Sequence, residues 1–227
     1  MPPVNITIER GLPAFRALLL DFDGTLGDSL GVLRGVYTQV LKQRGKTPTD
    51  QEFDRLNGPP LRVGLAMLRE AHSLPESNDE LLARYLSLVA AAYEHAPPAA
   101  GAVDLIKGVR TRGWATAIVT SNTQSETQRW LKRWTLDAAF DAVIGGDSVP
   151  RGKPNPDPYL AALECLECEA DLAIAVEDTS TGIRAATAAC VDTWALDPQH
   201  KLQRDVLDLP HVLGVADNLS QVAAKIL

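Results

Sequence analysis

The sequence predicts an α/β protein, with a Rossmann-like doubly wound parallel sheet as its core and an all-helical cap domain inserted after the first strand. Three observations predict this class. After residue 101, short apolar runs alternate with helical patterns, which favours a parallel sheet covered on both faces. The first apolar run, Leu18–Leu20, is uninterrupted and predicts a buried strand. Between this run and the others, residues 29–97 carry helical patterns alone.

The predicted core therefore comprises residues 1–28 and 98–227, and the predicted cap comprises residues 29–97. Cap helices are predicted over 30–44, after the turn at 46–50, over 61–72 and over 80–95. The connections at 27–30 and 96–101 are predicted hinges that let the cap close over a ligand. At the N-terminus, the alternating segment Val4–Ile8 favours an edge strand.

The core elements follow in order: helix 103–111, strand 114–119, a helix carrying two tryptophans, strand 142–144, helix 160–169, strand 172–176, helix 179–190, strand 191–196 and helix 218–227. Trp130 and Trp134 lie four residues apart on the tryptophan helix and are predicted to pack in the core. Cys165 and Cys168 lie in helix 160–169. They are predicted to be packed or surface thiols, because no second cysteine pair or nearby histidine completes a metal or redox site.

Composition and charge exclude several classes of protein. The 227 residues are 22% charged and 45% hydrophobic, as in ordinary globular proteins, and the net charge is −7. An acidic chain lacks the electrostatic footprint of a nucleic-acid-binding protein. The sequence contains no window of 18 apolar residues, and polar side chains interrupt the apolar residues near its start. We therefore expect a cytoplasmic protein that binds neither nucleic acid nor membrane. Its oligomeric state, monomer or homodimer, stays open.

Polar side chains follow three of the predicted strands. These residues are Asp21 and Asp23 after the first strand, Thr120 after the second, and Glu177 and Asp178 after the fourth. The carboxyl ends of parallel strands meet at one edge of a sheet, which is where such folds bind ligands. We therefore expect these side chains to lie close together, with Lys153 from the polar loop 150–156 beside them.

The chemistry of this set points to phosphate. Carboxylates at this density, without histidine or cysteine, favour Mg²⁺ with oxygen ligands. Thr120 and the amides of Ser121 and Asn122 at a helix start would bind an anion, and the ammonium of Lys153 would offset the charge of a transferring phosphoryl group. One aspartate can then attack phosphorus to form an aspartyl-phosphate, while another transfers a proton. Each motif alone is commonly a helix cap or a surface turn, so the prediction depends on their occurring together.

Four segments resemble, in order and spacing, the four motifs of haloacid dehalogenase-like phosphatases: Asp21–Leu26, Thr120–Asn122, Lys153–Pro156 and Val176–Gly182. The resemblance covers about residues 16–196. It is strongest to the branch that contains phosphoglycolate phosphatases and β-phosphoglucomutases, in which a helical cap follows the first motif.

The resemblance implies a role for each motif residue. Asp21 would be the nucleophile and a magnesium ligand, and Asp23 the general acid/base, with its backbone carbonyl also on the metal. The other motif residues would complete the site, with Thr120 and Lys153 on the phosphoryl group and Glu177 and Asp178 on the metal. Further contacts with phosphate or substrate would come from Gly24, Ser121, Asn122 and, in the cap, Arg62.

Two positions narrow the predicted function. The presence of Asp23 favours phosphate esters, because dehalogenases lack this aspartate and phosphonate-cleaving relatives replace it with alanine. β-Phosphoglucomutases carry a histidine ten residues further on, where this chain has Leu33, so a phosphosugar mutase is the less favoured alternative. We expect hydrolysis of a small phosphorylated metabolite such as a phosphoglycolate-like or sugar-phosphate-like monoester.

For two residues at or near the start of cap helices, the sequence allows two roles. Arg62 follows the turn at 57–60 and would either contact a substrate carboxylate or second phosphate, or remain solvated in the first turn of a helix. Ser29 would either line the site or cap the first cap helix.

Overall fold

A computed structural model describes residues 15–56, 61–93 and 95–227. Its core is one parallel sheet, whose six strands are β1 (Ala17–Leu20), β2 (Ala115–Val119), β3 (Ala142–Ile144), β4 (Ala173–Glu177), β5 (Asp192–Leu196) and β6 (Val212–Ala216). The spatial order is β3-β2-β1-β4-β5-β6. The chain therefore changes direction across the sheet between β1 and β4, where doubly wound sheets open a crevice for ligands. The predicted edge strand Val4–Ile8 and the turn at 57–60 lie outside the described residues.

Helices cover both faces of the sheet, as predicted. They are α5 (Ala102–Thr111), α6 (Gln124–Arg133), α7 (Asp157–Cys165), α8 (Ser180–Ala188), α9 (Arg204–Leu207) and α10 (Leu219–Ile226). In β1, Leu18 and Leu20 pack with residues of α5, α6 and α10, whereas Ala17 and Leu19 pack with residues of α7 and α8. All four β1 residues are fully buried, which explains why the strand is an unbroken apolar run.

Four helices form the insertion between β1 and α5: α1 (Leu30–Lys42), α2 (Asp50–Leu56), α3 (Leu61–His72) and α4 (Asn78–Tyr93). They enclose a hydrophobic cluster of their own, to which each of them contributes. The predicted all-helical cap is thus confirmed, while its limits at residues 28–29 and 97–98 stay a prediction. None of the helices in the described ranges combines the length and apolar character that a bilayer crossing requires.

Contrary to the prediction, Trp134 does not pack in the core. Trp130 is 3% exposed, but Trp134 is 36% exposed. Helix α6 ends at Arg133, and Thr135 adopts a positive φ of 56°. The chain therefore leaves the helix before Trp134 can continue the buried stripe.

The predicted helix 160–169 begins and ends earlier than expected, at Asp157 and Cys165. Helix α7 ends at Cys165, and Glu167 has a left-handed φ of 48°, a conformation that commonly ends helices. Cys168 therefore lies beyond the helix. Both cysteines are free thiols in the structure.

The sequence reasoning assigned no structure to the sixth strand, β6. Its pattern is broken by Gly214, where a Cβ atom would lie 2.8 Å from Cζ3 of Trp194. A glycine lets the indole of the neighbouring strand approach, but it also weakens the strand signal in the sequence.

Candidate active site

The first motif turns sharply after β1. Gly24 has a φ of 82°, which favours glycine, and its amide donates to the carbonyl oxygen of Gly27 at 3.1 Å. A Cβ atom at Gly24 would lie 2.1 Å from Oδ2 of Asp178. The glycine thus allows the backbone after β1 to lie against the acidic end of β4.

Lys153 joins the ends of three strands. Its ammonium donates to Oδ1 of Asp21 and to Oε1 of Glu177, both at 2.5 Å, and to the carbonyl oxygen of Val119 at 2.8 Å. Only 4% of the lysine side chain is exposed. Burial by itself would lower the pKa of Lys153, but the Asp21 and Glu177 carboxylates outweigh it and raise that pKa above its usual value. The lysine is therefore a fixed positive charge between the first and fourth strands.

Glu177 is fully buried and is held by several donors. Its Oε1 accepts from Lys153 and, at 2.7 Å, from the hydroxyl of Tyr159, while its Oε2 accepts from Oγ1 of Thr179 at 3.2 Å. A Cβ atom at Gly182 would lie 2.0 Å from this carboxylate, so the first turn of α8 closes over it. These contacts fix the position of Glu177 and, through it, of Lys153.

Three acids crowd around this lysine. Asp21, Glu177 and Asp178 each place a carboxylate oxygen within 4.8 Å of the other two. Oδ1 of Asp178 is buried and has no hydrogen-bond partner among the described residues. Burial, followed by the charge of Glu177, raises the pKa of Asp21 to about 7. Burial and the charges of Asp21 and Glu177 hold the pKa of Asp178 well above its usual value.

These acids fit a divalent cation. One ammonium faces three carboxylates, and a buried carboxylate oxygen without a partner is costly unless a cation binds it. The donors are all oxygen atoms, which suits Mg²⁺.

Asp23 lies in a separate hydrogen-bond network. Its Oδ1 accepts from Oγ of Ser29 at 2.6 Å and from the hydroxyl of Tyr93, and its Oδ2 accepts from Nδ2 of Asn122 at 2.7 Å. Burial raises the pKa of Asp23, while the hydrogen bonds from Ser29 and Tyr93 oppose that rise. Ser29 makes no side-chain cap on α1, so its hydroxyl serves Asp23 and not the helix.

The second motif forms a tight turn after β2. Thr120 is buried, and its Oγ1 accepts from the backbone amide of Asn122 at 3.0 Å. That amide is thus committed within the turn, and the side chain of Asn122 points to Asp23. Helix α6 is capped one residue later, by Thr123, and Ser121 is exposed.

Arg62 lies in the first turn of α3, with 63% of its side chain exposed. Its Nη1 pairs with Oδ1 of Asp79 at 2.6 Å. Within the described part of the chain, the guanidinium makes this one hydrogen bond. Asp21 and Glu177 contact Lys153, and Asn122 contacts Asp23.

Tyr93 and Tyr159 are the residues that sequence reasoning missed. Tyr159 lies six residues after Lys153 at the start of α7 and contacts the same glutamate. Tyr93 follows the buried positions Tyr85 and Val89 of α4 at i, i+4 spacing and is itself partly buried, so the helical pattern could predict on which face it lies. Nothing in that pattern indicates that its hydroxyl reaches Asp23.

Comparison with known proteins identifies the family. The family model described as haloacid dehalogenase-like hydrolase matches residues 18–196. A phosphorylated carbohydrates phosphatase from Thermotoga maritima is 30% identical over 180 residues, which cover 78% of this chain and 82% of that protein. A phosphoglycolate phosphatase from Pseudomonas fluorescens is 30% identical over 213 residues, which cover 90% of this chain and 77% of that protein.

A solved structure supports the same assignment of the fold. A Thermotoga maritima protein, provisionally described as a β-phosphoglucomutase, superposes with a TM-score of 0.80 at 25% identity, covering 94% of this chain and 100% of that one. The predicted fold class is confirmed, and the names of the two relatives confirm the predicted phosphoric monoester hydrolase class. The chain therefore belongs to the haloacid dehalogenase-like hydrolase family, within its phosphatases.

Proposed function

We propose that this protein is a magnesium-dependent phosphatase that hydrolyses a small phosphomonoester through an aspartyl-phosphate on Asp21. The observation that carries the proposal is the cluster around Lys153, in which Asp21 and Glu177 share the ammonium while Asp178 keeps a buried oxygen without a partner. The two relatives suggest a phosphoglycolate-like or sugar-phosphate-like substrate.

The first chemical step belongs to Asp21. Its Oδ1 is held by Lys153, which leaves the other carboxylate oxygen to form a bond with phosphorus as the bond to the leaving oxygen breaks. Lys153 and Thr120 bind the phosphoryl group in this proposal, and the buried ammonium offsets its negative charge.

Asp23 is suited to move the proton. It lies two residues from the nucleophile, outside the Lys153 cluster, and burial raises its pKa, which favours the protonated form that a general acid requires. It gives its proton to the departing oxygen, then takes a proton from the water that attacks the aspartyl-phosphate. The products are an alcohol and inorganic phosphate, and Asp21 is regenerated.

The metal would be held by Asp21, Asp178 and the backbone carbonyl of Asp23, with Glu177 behind them. Both oxygens of Glu177 already accept hydrogen bonds, so Asp21 and Asp178 are the carboxylates best placed for direct contact. When bound, Mg²⁺ would supply the positive charge that lets an acidic site accept a phosphate dianion.

The experiment is phosphate release from a panel of phosphorylated metabolites, with Mg²⁺ and with a chelator. Asp21→Asn should abolish release because the amide cannot attack phosphorus. Asp104→Asn, which changes an exposed carboxylate in the first turn of α5, is the matched control and should retain activity. Magnesium-independent release, or activity retained by Asp21→Asn, would refute the proposal.

A phosphosugar mutase is the alternative, because the Thermotoga maritima structure carries that description. Leu33 occupies the position of the mutase histidine. Addition of a hexose bisphosphate primer should therefore yield phosphate and no isomerised sugar phosphate. The cytoplasmic location and the monomeric or homodimeric state stay predictions.

A further inference from the structure

The carboxylate of Asp23 is held by residues from both domains. Asn122 belongs to the core, whereas Ser29 lies at the start of the cap and Tyr93 is the last residue of the cap helix α4. Asp23 thus receives hydrogen bonds from both ends of the inserted domain.

The ring of Tyr93 is fixed against the core. It stacks on Phe22, with ring centroids 6.0 Å apart, and Phe22 packs edge-to-face on Trp130 at 4.9 Å. The carbonyl oxygen of Tyr93 accepts from the amide of Ala96, whose own carbonyl oxygen accepts from Nε1 of Trp130 at 2.8 Å. The end of α4 is therefore held by packing and by the backbone.

The two connections between the domains run side by side at this point. The amide of Asp28 donates to the carbonyl oxygen of Pro97 at 2.9 Å, and the amide of Ala99 donates to that of Leu26 at 2.8 Å. Tyr93 thus lies beside the predicted pivot of the cap, where a rotation displaces a side chain least. A group at this position can keep one contact while the rest of the cap moves.

We propose that Tyr93 is a positioning residue, whose hydroxyl orients the carboxyl group of Asp23 for proton transfer to the leaving oxygen. The inference rests on the proposed phosphatase function. The hydroxyls of Tyr93 and Ser29 both donate to Oδ1 in this structure, and a hydroxyl can also accept, so both can stay on Oδ1 when that oxygen carries the proton. The amide nitrogen of Asn122 only donates, so it keeps Oδ2 as an acceptor and leaves the proton on Oδ1.

Proton transfer accompanies transfer of the phosphoryl group. As a bond forms between Asp21 and phosphorus, the bond from phosphorus to the leaving oxygen breaks, and the proton on Oδ1 of Asp23 passes to that oxygen. Tyr93 neither gains nor loses a proton overall.

The test uses Tyr93→Phe, which removes the hydroxyl and keeps the ring on Phe22. We compare kcat/KM for the best alkyl phosphate of the wild-type enzyme with kcat/KM for 4-nitrophenyl phosphate. The value of kcat/KM reports the steps up to departure of the leaving group. Nitrophenolate departs without a proton, so its departure does not need the general acid. We expect kcat/KM to fall about tenfold for the alkyl phosphate and by less than about twofold for the aryl phosphate.

Two variants serve as references. Tyr85→Phe makes the same change in the same helix, within the cap core, and should leave kcat/KM unchanged for both the alkyl and the aryl phosphate. Asp23→Asn removes the acid itself and gives the largest difference between the two substrates. Thermal unfolding of each variant shows whether the fold is retained.

The outcomes separate this inference from the proposed function. An equal fall for both substrates would make Tyr93 a merely structural residue, and no fall for either would remove it from the mechanism. Both results would leave the phosphatase assignment intact. If the wild-type protein showed no magnesium-dependent release of phosphate, the proposed function and the inference would both be overturned.

Discussion

Replacing Asp21 with asparagine should stabilise the metal-free protein while abolishing its activity. Asparagine resembles the neutral carboxyl group, and Asp21 is neutral in the folded protein until the pH approaches its raised pKa of about 7. The ordinary value of 3.8 applies to the unfolded chain. Ionisation of this buried group beside Glu177 therefore lowers the free energy of unfolding of the wild-type protein. The variant has no group to ionise at this position and keeps that stability.

The magnitude follows from the two pKa values. A raised folded pKa means that the folded state binds the proton more tightly, so wild-type stability falls as the pH rises from about 4 to about 7. A difference of roughly three units at 1.36 kcal/mol each gives about 4 kcal/mol at pH 8. The stability advantage of Asp21→Asn should thus grow from near zero at pH 4 to about 4 kcal/mol at pH 8.

Urea unfolding in the presence of EDTA measures this advantage. All four tryptophans, at positions 114, 130, 134 and 194, lie in the predicted core, so their fluorescence follows the domain that contains Asp21. Asp104→Asn serves as the control. A variant less stable than wild type at pH 8, or an advantage that does not change with pH, would refute the reasoning. Added Mg²⁺ should stabilise wild type more than Asp21→Asn, because it binds the folded acids.

Three further changes address other parts of the site. Lys153→Met leaves buried acids without their ammonium and should lower the free energy of unfolding by about 3–5 kcal/mol, measured by urea unfolding, and abolish turnover. Gly24→Ala places a methyl group against Asp178 and should raise the Mg²⁺ concentration for half-maximal activity about tenfold or more, measured by metal titration. Arg62→Ala should raise KM more for a phosphomonoester that also carries a carboxylate than for one that does not. The reason is that the exposed Arg62–Asp79 ion pair is weak, so the guanidinium can leave Asp79 and bind a substrate carboxylate.

Wild-type stability of Lys153→Met would mean that the ammonium is not needed to neutralise the cluster. An unchanged metal titration for Gly24→Ala would show that the close approach to Asp178 does not shape the metal site. Equal KM changes for substrates with and without a carboxylate would mean that Arg62 does not contact the substrate.

The sequence predicted the sheet and the acidic edge because each depends on local patterns. An unbroken apolar run such as Leu18–Leu20 has few structural alternatives, and parallel strands bring their carboxyl ends together wherever they occur. The helical cap followed from residues 29–97 for the same reason. The sixth strand was missed because Gly214, which the packing of Trp194 requires, disrupts the pattern that marks a strand.

The contacts inside the site could not be predicted in the same way. The spacing of the motifs brings Lys153 to the acids, but it does not indicate that the ammonium bridges two carboxylates. Tyr93 reaches Asp23 across 70 residues of sequence, through the way the cap returns to the core. Such contacts depend on tertiary packing, which a helical periodicity does not describe.

The charge balance of the site explains why the four motifs are informative together. Three ionised carboxylates and one ammonium would leave the cluster negative, and this crowding of negative charge is one reason why the pKa values of Asp21 and Asp178 are raised. The glutamate that ends β4 and the aspartate after it would be an unexplained cost in a site that lacked a second cation. A divalent cation would remove that cost and would also attract the substrate. The acids that make the empty cluster unfavourable are therefore the same groups that make it suited to a metal and a phosphate.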